Sequence, residues 1–260
     1  MNGAALITGG AKRLGRAMAL RLAARGLDVA IHYDSSIDAA EQTAADAREF
    51  GVNAITIQAD LLDHAATESL VGRARDVLEK PLTVLINNAS IFEYDRIETA
   101  SQTSWDRHIG SNLRAPFFLT QAFAAQAPKA EMDALGEPRA LANVINMVDQ
   151  RVRKLTPEFM TYSLAKAGLW AFTQTAAQGL APHIRVNGIA PGPTMIGARQ
   201  TEAHFAAQRN ATILQRGSNP DEICRTLEFI LDSDGMTGQL ICLDGGQHLA
   251  WKTPDIQGVE

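Results

Sequence analysis

A chain of 260 residues, 46% of them hydrophobic, has enough apolar material for one large core, and it reads as a single domain over residues 1–260. Its formal charge of -5 argues against a nucleic-acid partner, and no stretch approaches the apolar length of a membrane span. No signal segment precedes the first strand, so a cytoplasmic protein is expected. Cys224 and Cys242 provide neither a disulfide framework nor a metal site and read as small buried hydrophobes.

In chain order, Ala4 to Thr8 is a short apolar run that ends at a glycine turn. Leu14, Met18 and Leu22 then recur at helical spacing, and Gly26 reads as the C-cap. Asp28 to Tyr33 is a strand, 37–50 a helix rich in alanine and charge, and Ala54 to Gln58 a third strand. Val84 to Asn87, Leu141 to Met147, Arg185 to Ile189 and Gln239 to Leu243 complete seven strands. Helical patterns separate nearly all of them. Such alternation predicts an α/β, Rossmann-type, doubly wound and mostly parallel sheet with helices on both faces. Asn219-Pro220-Asp221-Glu222 predicts an N-cap, a proline at the first helical position and acids in the first turn of a helix reaching Leu231. Residues 129–139 read as an exposed loop, and 193–217 as either a substrate flap or a pair of surface helices.

Two features carry chemistry. In Thr8-Gly9-Gly10-Ala11-Lys12-Arg13-Leu14-Gly15, glycines free the backbone for a pyrophosphate, and the following helix offers its unpaired N–H groups and positive dipole end. Tyr162 and Lys166 lie four residues apart, on one face of a predicted helix, as an acid/base pair. Together they describe a site that holds a dinucleotide and moves a proton.

The turn resembles the Thr-Gly-x-x-x-Gly-x-Gly fingerprint of the short-chain dehydrogenase/reductase family, with Arg13 where the middle glycine is usual. The resemblance continues through Asn87-Asn88-Ala89-Ser90, Asn112, Pro191-Gly192-Pro193-Thr194 and Leu243-Asp244-Gly245-Gly246. It implies a cofactor site built from Gly9, Arg13, Leu14, His32, Tyr33, Ser36, Asp60, Leu61, Asn88, Ala89, Ser90, Tyr162, Lys166, Pro191, Gly192 and Thr194. It also implies that Lys166 lowers the pKa of Tyr162, and that Asn112 props Lys166 through a water. Tyr33 stands where an acid would bind a ribose 2′-hydroxyl. With Arg13, His32 and Ser36 nearby, NADPH is expected over NADH, although Asp34 argues the other way. For Asp60 a helix N-cap is the competing reading.

One departure is informative. The family places a serine thirteen residues before the tyrosine, and here that residue is Asp149. An ionised carboxylate repels a carbonyl oxygen, whereas a carboxyl group suits a heterocycle whose nitrogens need protons. Asp149, Tyr162 and Lys166 resemble the catalytic trio of the pteridine reductase branch. That branch also carries arginine at the glycine turn, His-Tyr-x-x-Ser (His32, Tyr33, Ser36), Gly-Ser-Asn (110–112) and a phenylalanine matching Phe92. Ser35 departs from it, because an arginine that grips the 2′-phosphate is common there. The resemblance implies an NADPH-dependent reductase of a pterin-like heterocycle, of the dihydropteridine or dihydrofolate class. Its catalytic residues would be Tyr162, Lys166, Asp149 and Asn112, its substrate contacts Arg13, Phe92, Asp149 and Tyr162, and its assembly a homotetramer without metal. A carbonyl oxidoreductase is the alternative enzyme, and a dinucleotide-binding regulator with little turnover the alternative of another class. Packing is the competing role for Phe92.

Overall fold

The computed structural model describes residues 3–197 and 200–252. The first half runs β1 (Ala4–Ile7), α1 (Arg13–Ala24), β2 (Asp28–Tyr33), α2 (Ile37–Arg48), β3 (Ala54–Gln58), α3 (His64–Leu78) and β4 (Leu82–Asn87). The second runs α4 (Gln102–Ile109), α5 (Ala115–Gln126), β5 (Glu131–Met132), β6 (Pro138–Arg139), β7 (Ala142–Met147), α6 (Met160–Leu180), β8 (Ile184–Pro191), α7 (Glu202–Asn210), α8 (Pro220–Asp232) and β9 (Leu240–Leu243). Seven strands form one sheet in the order β3-β2-β1-β4-β7-β8-β9, every neighbouring pair parallel.

The central strands β1, β4 and β7 are buried along their whole length, as strands covered on both faces must be. Alternate residues serve opposite cores. Ala5 and Ile7 join residues of α1, α2 and α8, while Ala4 and Leu6 join residues of α3, α5 and α6. The direction of winding reverses between β1 and β4, so a crevice opens beyond their carboxyl ends.

Local signals explain most boundaries. Asn219 caps α8 in a reciprocal capping box with Glu222, with Pro220 at the start of the helix, as its sequence predicts. Residues 129–139 differ from expectation: β5 and β6 pair there as a small exposed antiparallel arm around Gly136. Its strands are two residues long, too short for any periodicity to show. Between α4 and α5, Gly110–Arg114 makes a π-helical turn. Among its described residues, the 193–217 stretch holds one surface helix, α7, with no buried residue, rather than a pair.

Candidate active site

The glycine turn hangs from the end of β1. Thr8 Oγ1 donates to the Ile86 carbonyl and accepts from the N–H groups of Asn88 (2.8 Å) and Ala89 (3.0 Å). The Asn88 amide returns two bonds to the carbonyls of Thr8 and Gly9. Gly9 has φ +60°, which glycine adopts without steric cost. A Cβ at Gly15 would lie 2.1 Å from the Gly9 oxygen, so this glycine is demanded by the approach of helix to turn rather than by room for a phosphate.

His32 is expected at a phosphate, and the structure corrects this. Its ring is 2% exposed, Nδ1 accepts from the Gly9 N–H and Nε2 meets the Ala59 carbonyl, each at 3.0 Å. Burial keeps the imidazole neutral by pushing its pKa down. Both nitrogens are therefore spent holding the turn from below.

Arg13 explains why glycine is usual at its position: its φ is +54°, a conformation that costs a non-glycine residue about 1 kcal/mol. Its exposed guanidinium donates to the carbonyls of Ile196 (2.7 Å) and Met195 (3.2 Å), linking the glycine turn to the segment after β8. The first turn of α1 has no acidic residue, and no side chain caps it. Its N–H groups thus suit an anion. Leu14 packs partly buried against the core beside it.

Tyr33 is half-buried at the end of β2, and Ser36 stands at the N-cap of α2 without a capping hydrogen bond. Asp60 is exposed and accepts from the Leu62 N–H, while Asp63, not Asp60, caps α3. Leu61 is buried in the core. Beyond β8, Gly192 donates its N–H to the Leu243 carbonyl, and a Cβ there would lie 2.6 Å from Asp244. Thr194 bonds Ser218 at 2.6 Å, and Pro191 ends β8.

Asp149, Tyr162 and Lys166 meet near the end of β7 and the start of α6. The Tyr162 hydroxyl donates to Asp149 Oδ2 at 2.8 Å, and the Arg151 N–H donates to Asp149 Oδ1 at 2.8 Å. Desolvation pushes the Asp149 carboxyl up against the pull of these donors. Burial, and then the neighbouring Asp149 charge, push the Tyr162 phenol well up. Lys166 is 2% exposed, donates to the Met147 carbonyl at 2.7 Å and is brought down to about 8 by burial, against the attraction of Asp149. Any lowering of Tyr162 by Lys166 is outweighed here. Burial and Asp149 dominate the phenol, and the ammonium bonds to β7 at 5.7 Å from the tyrosine ring centre.

Asn112, in the π-helical turn, uses both ends of its side chain on Ile91: Oδ1 accepts from its N–H and Nδ2 donates to its carbonyl. It braces the Ser90–Phe92 loop. Phe92 is 44% exposed, stacks on Phe159 at 4.4 Å and meets the Tyr162 ring edge-on at 4.7 Å. Sequence reasoning missed a buried chain behind this loop. The Glu93 N–H donates to His108 Nε2, His108 Nδ1 meets Thr161 Oγ1 at 2.7 Å, and Thr161 bonds Asp95. Asp95 also accepts from the Thr161 N–H and so ties the start of α6 to the segment after β4. His108 and Asp95 are polar residues in otherwise unremarkable segments, so only the fold shows that they meet.

A family model described as short chain dehydrogenase matches residues 3–206. The chain belongs to this family. A solved structure titled FolM alternative dihydrofolate reductase 1, from Brucella suis and in complex with NADP, is 42% identical to this short-chain dehydrogenase. The match covers 98% of each chain with a TM-score of 0.90. Pteridine reductase 1 of Leishmania tarentolae is 31% identical over 288 residues, covering 94% of this chain and 96% of that one. A 3-oxoacyl-[acyl-carrier-protein] reductase of Synechocystis is also 31% identical, over 247 residues, covering 93% and 95%. The chain is thus an oxidoreductase with relatives of two substrate types. Among the described residues no helix is long and apolar enough to cross a membrane, and no cluster of side chains could hold a metal ion.

Proposed function

We propose that this protein is an NADPH-dependent reductase of a pterin-like heterocycle, of the dihydropteridine or dihydrofolate class. The observation that carries the proposal is the Tyr162–Asp149 hydrogen bond, made where a carbonyl reductase needs a serine hydroxyl. NADPH, when bound, supplies the hydride. Gly9, Arg13, Leu14 and the start of α1 would hold its phosphates. Tyr33, Ser36, Asp60 and Leu61 would flank the adenosine end. Asn88, Ala89, Ser90, Tyr162, Lys166, Pro191, Gly192 and Thr194 would line the nicotinamide side. Desolvation favours a proton on Asp149, so Asp149 and Tyr162 form a proton-donating pair aimed at a ring nitrogen. Phe92 packs beside Tyr162 and would stack on the substrate ring, with Arg13 at its edge.

The testing experiment is NADPH oxidation with dihydrobiopterin, dihydromonapterin, dihydrofolate and a panel of ketones side by side. Reduction of ketones but of no pterin would replace this reading with that of the carbonyl reductases, which the acyl-carrier-protein reductase relatives favour.

Arg13→Gly is expected to weaken NADPH more than NADH, because only NADPH carries the extra phosphate. Fluorescence titration measures both, and an equal loss would assign Arg13 to the shared pyrophosphate, the substrate or the flap.

A cytoplasmic homotetramer is the assembly this reading carries, with residues 193–217 as the flap. Of the apolar residues after Lys166, Leu169 is core, whereas Trp170 and Phe172 are only half-buried. Leu164 and Phe117 add exposed apolar surface on α6 and α5. Light scattering at micromolar concentration is expected to give four chains, and a monomer would refute this.

A further inference from the structure

The segment that leaves β7 carries three cations in four residues, Arg151, Arg153 and Lys154, on a chain whose formal charge is -5. Among the described residues, none of the three makes an ion pair, although ten arginine– or lysine–carboxylate pairs form elsewhere. None of the three is thus held by a carboxylate in a direct ion pair.

The position of Arg151 is specific. Its backbone N–H holds Asp149, and its guanidinium carbon lies 4.8 Å from the centre of the Phe159 ring. Phe159 stacks on Phe92, and Phe92 meets Tyr162, so an aromatic series leads from this cation to the proton-donating hydroxyl. Phe159 is held there at φ +55° by the Asp95 carbonyl, which accepts its N–H. Arg151 is near enough to lower the pKa of both Asp149 and Tyr162 by its charge. Its side chain makes one hydrogen bond among the described residues, from Nη1 to Thr156 Oγ1, and the remaining donors of the fork are available. A planar guanidinium supported on an aromatic face suits a carboxylate or phosphate in two-point contact. Arg153 lies over Trp170 at 5.7 Å and, with Lys154, is exposed, which extends the positive surface outward from the site.

We propose that Arg151, supported by Arg153 and Lys154, is an anion subsite for the substrate's side chain, so that this enzyme prefers pterins whose tail carries a carboxylate or a phosphate over pterins with a neutral tail. The inference rests on the pterin reading above. It assigns to Arg151 a specificity role separate from proton transfer: the aromatic series takes the ring, and the guanidinium takes the tail.

The test compares kcat/KM for three dihydropterins that differ in their tails: dihydrofolate (carboxylates), a side-chain phosphomonoester and the neutral dihydrobiopterin. Wild type is expected to favour the charged tails, with a preference that shrinks as salt is raised. Arg151→Met keeps the apolar stem on Phe159 and removes the fork. It should lower the charged-to-neutral ratio roughly tenfold, mainly through KM. An Arg153→Gln/Lys154→Gln double variant, at exposed positions, should lower the same ratio less and flatten its salt dependence. A fall confined to dihydrofolate assigns the subsite to carboxylates, and one confined to the phosphomonoester assigns it to phosphates. An unchanged ratio in both variants overturns the subsite and leaves the pterin reading standing. Failure of wild type to reduce any of the three overturns the pterin reading itself.

Discussion

Tyr162→Phe should cut pterin reduction by roughly 10²-fold or more while NADPH still binds. The substitution keeps the ring, which meets Phe92 and is 6% exposed, so packing is preserved. What is lost is the hydroxyl that bonds Asp149 at 2.8 Å. Without it the Asp149 carboxyl is left beside an apolar ring, and the proton for the substrate nitrogen has lost one of its two carriers. Steady-state turnover and a separate cofactor titration distinguish loss of chemistry from loss of binding. Turnover within a few-fold of wild type would mean that Asp149 delivers the proton alone.

Asp149→Ser tests the substrate class. A serine hydroxyl can donate to a carbonyl oxygen at any ordinary pH, whereas Asp149 donates only when protonated. The variant is expected to lose pterin reduction by an order of magnitude or more and to gain ketone reduction. The pH profile adds a second signature. Burial raises the Asp149 pKa, so the donor is present below that value and lost as pH rises through it. Wild-type kcat/KM for a pterin should therefore fall on the alkaline side, and the variant should lack that limb. Intact pterin turnover in Asp149→Ser would end the pterin reading.

Much of this was legible without coordinates because parallel strands are written as unbroken apolar runs. The predicted spans of β2 and β3 match the observed ones residue for residue. β4 starts two residues earlier than its apolar run suggests, at Leu82, since Thr83 is polar yet buried. The register of Asp149 with Tyr162 was visible through the family resemblance, which places a serine thirteen residues before the tyrosine. The roles of His32 and Asn112 were not visible. Both are polar residues beside the right motifs, but their partners, Gly9 with Ala59 and Ile91, come from elsewhere in the chain. The positive φ of Arg13 was hidden for a different reason: its side chain suggests charge, while the rarity of non-glycine residues at that position concerns the backbone.

The placement of Trp170 under Arg153 gives the protein a built-in optical reporter. The chain has three tryptophans, and two of them, Trp105 and Trp251, are 46% and 56% exposed. Replacing these two with phenylalanine leaves an indole on the helix of Tyr162 and Lys166, with a guanidinium 5.7 Å from its ring centre. Indole emission responds to nearby charge, so movement of Arg153 toward an anion would change its intensity and wavelength. Occupancy of the basic segment then becomes visible as a binding signal, with no reduced cofactor present and no turnover required.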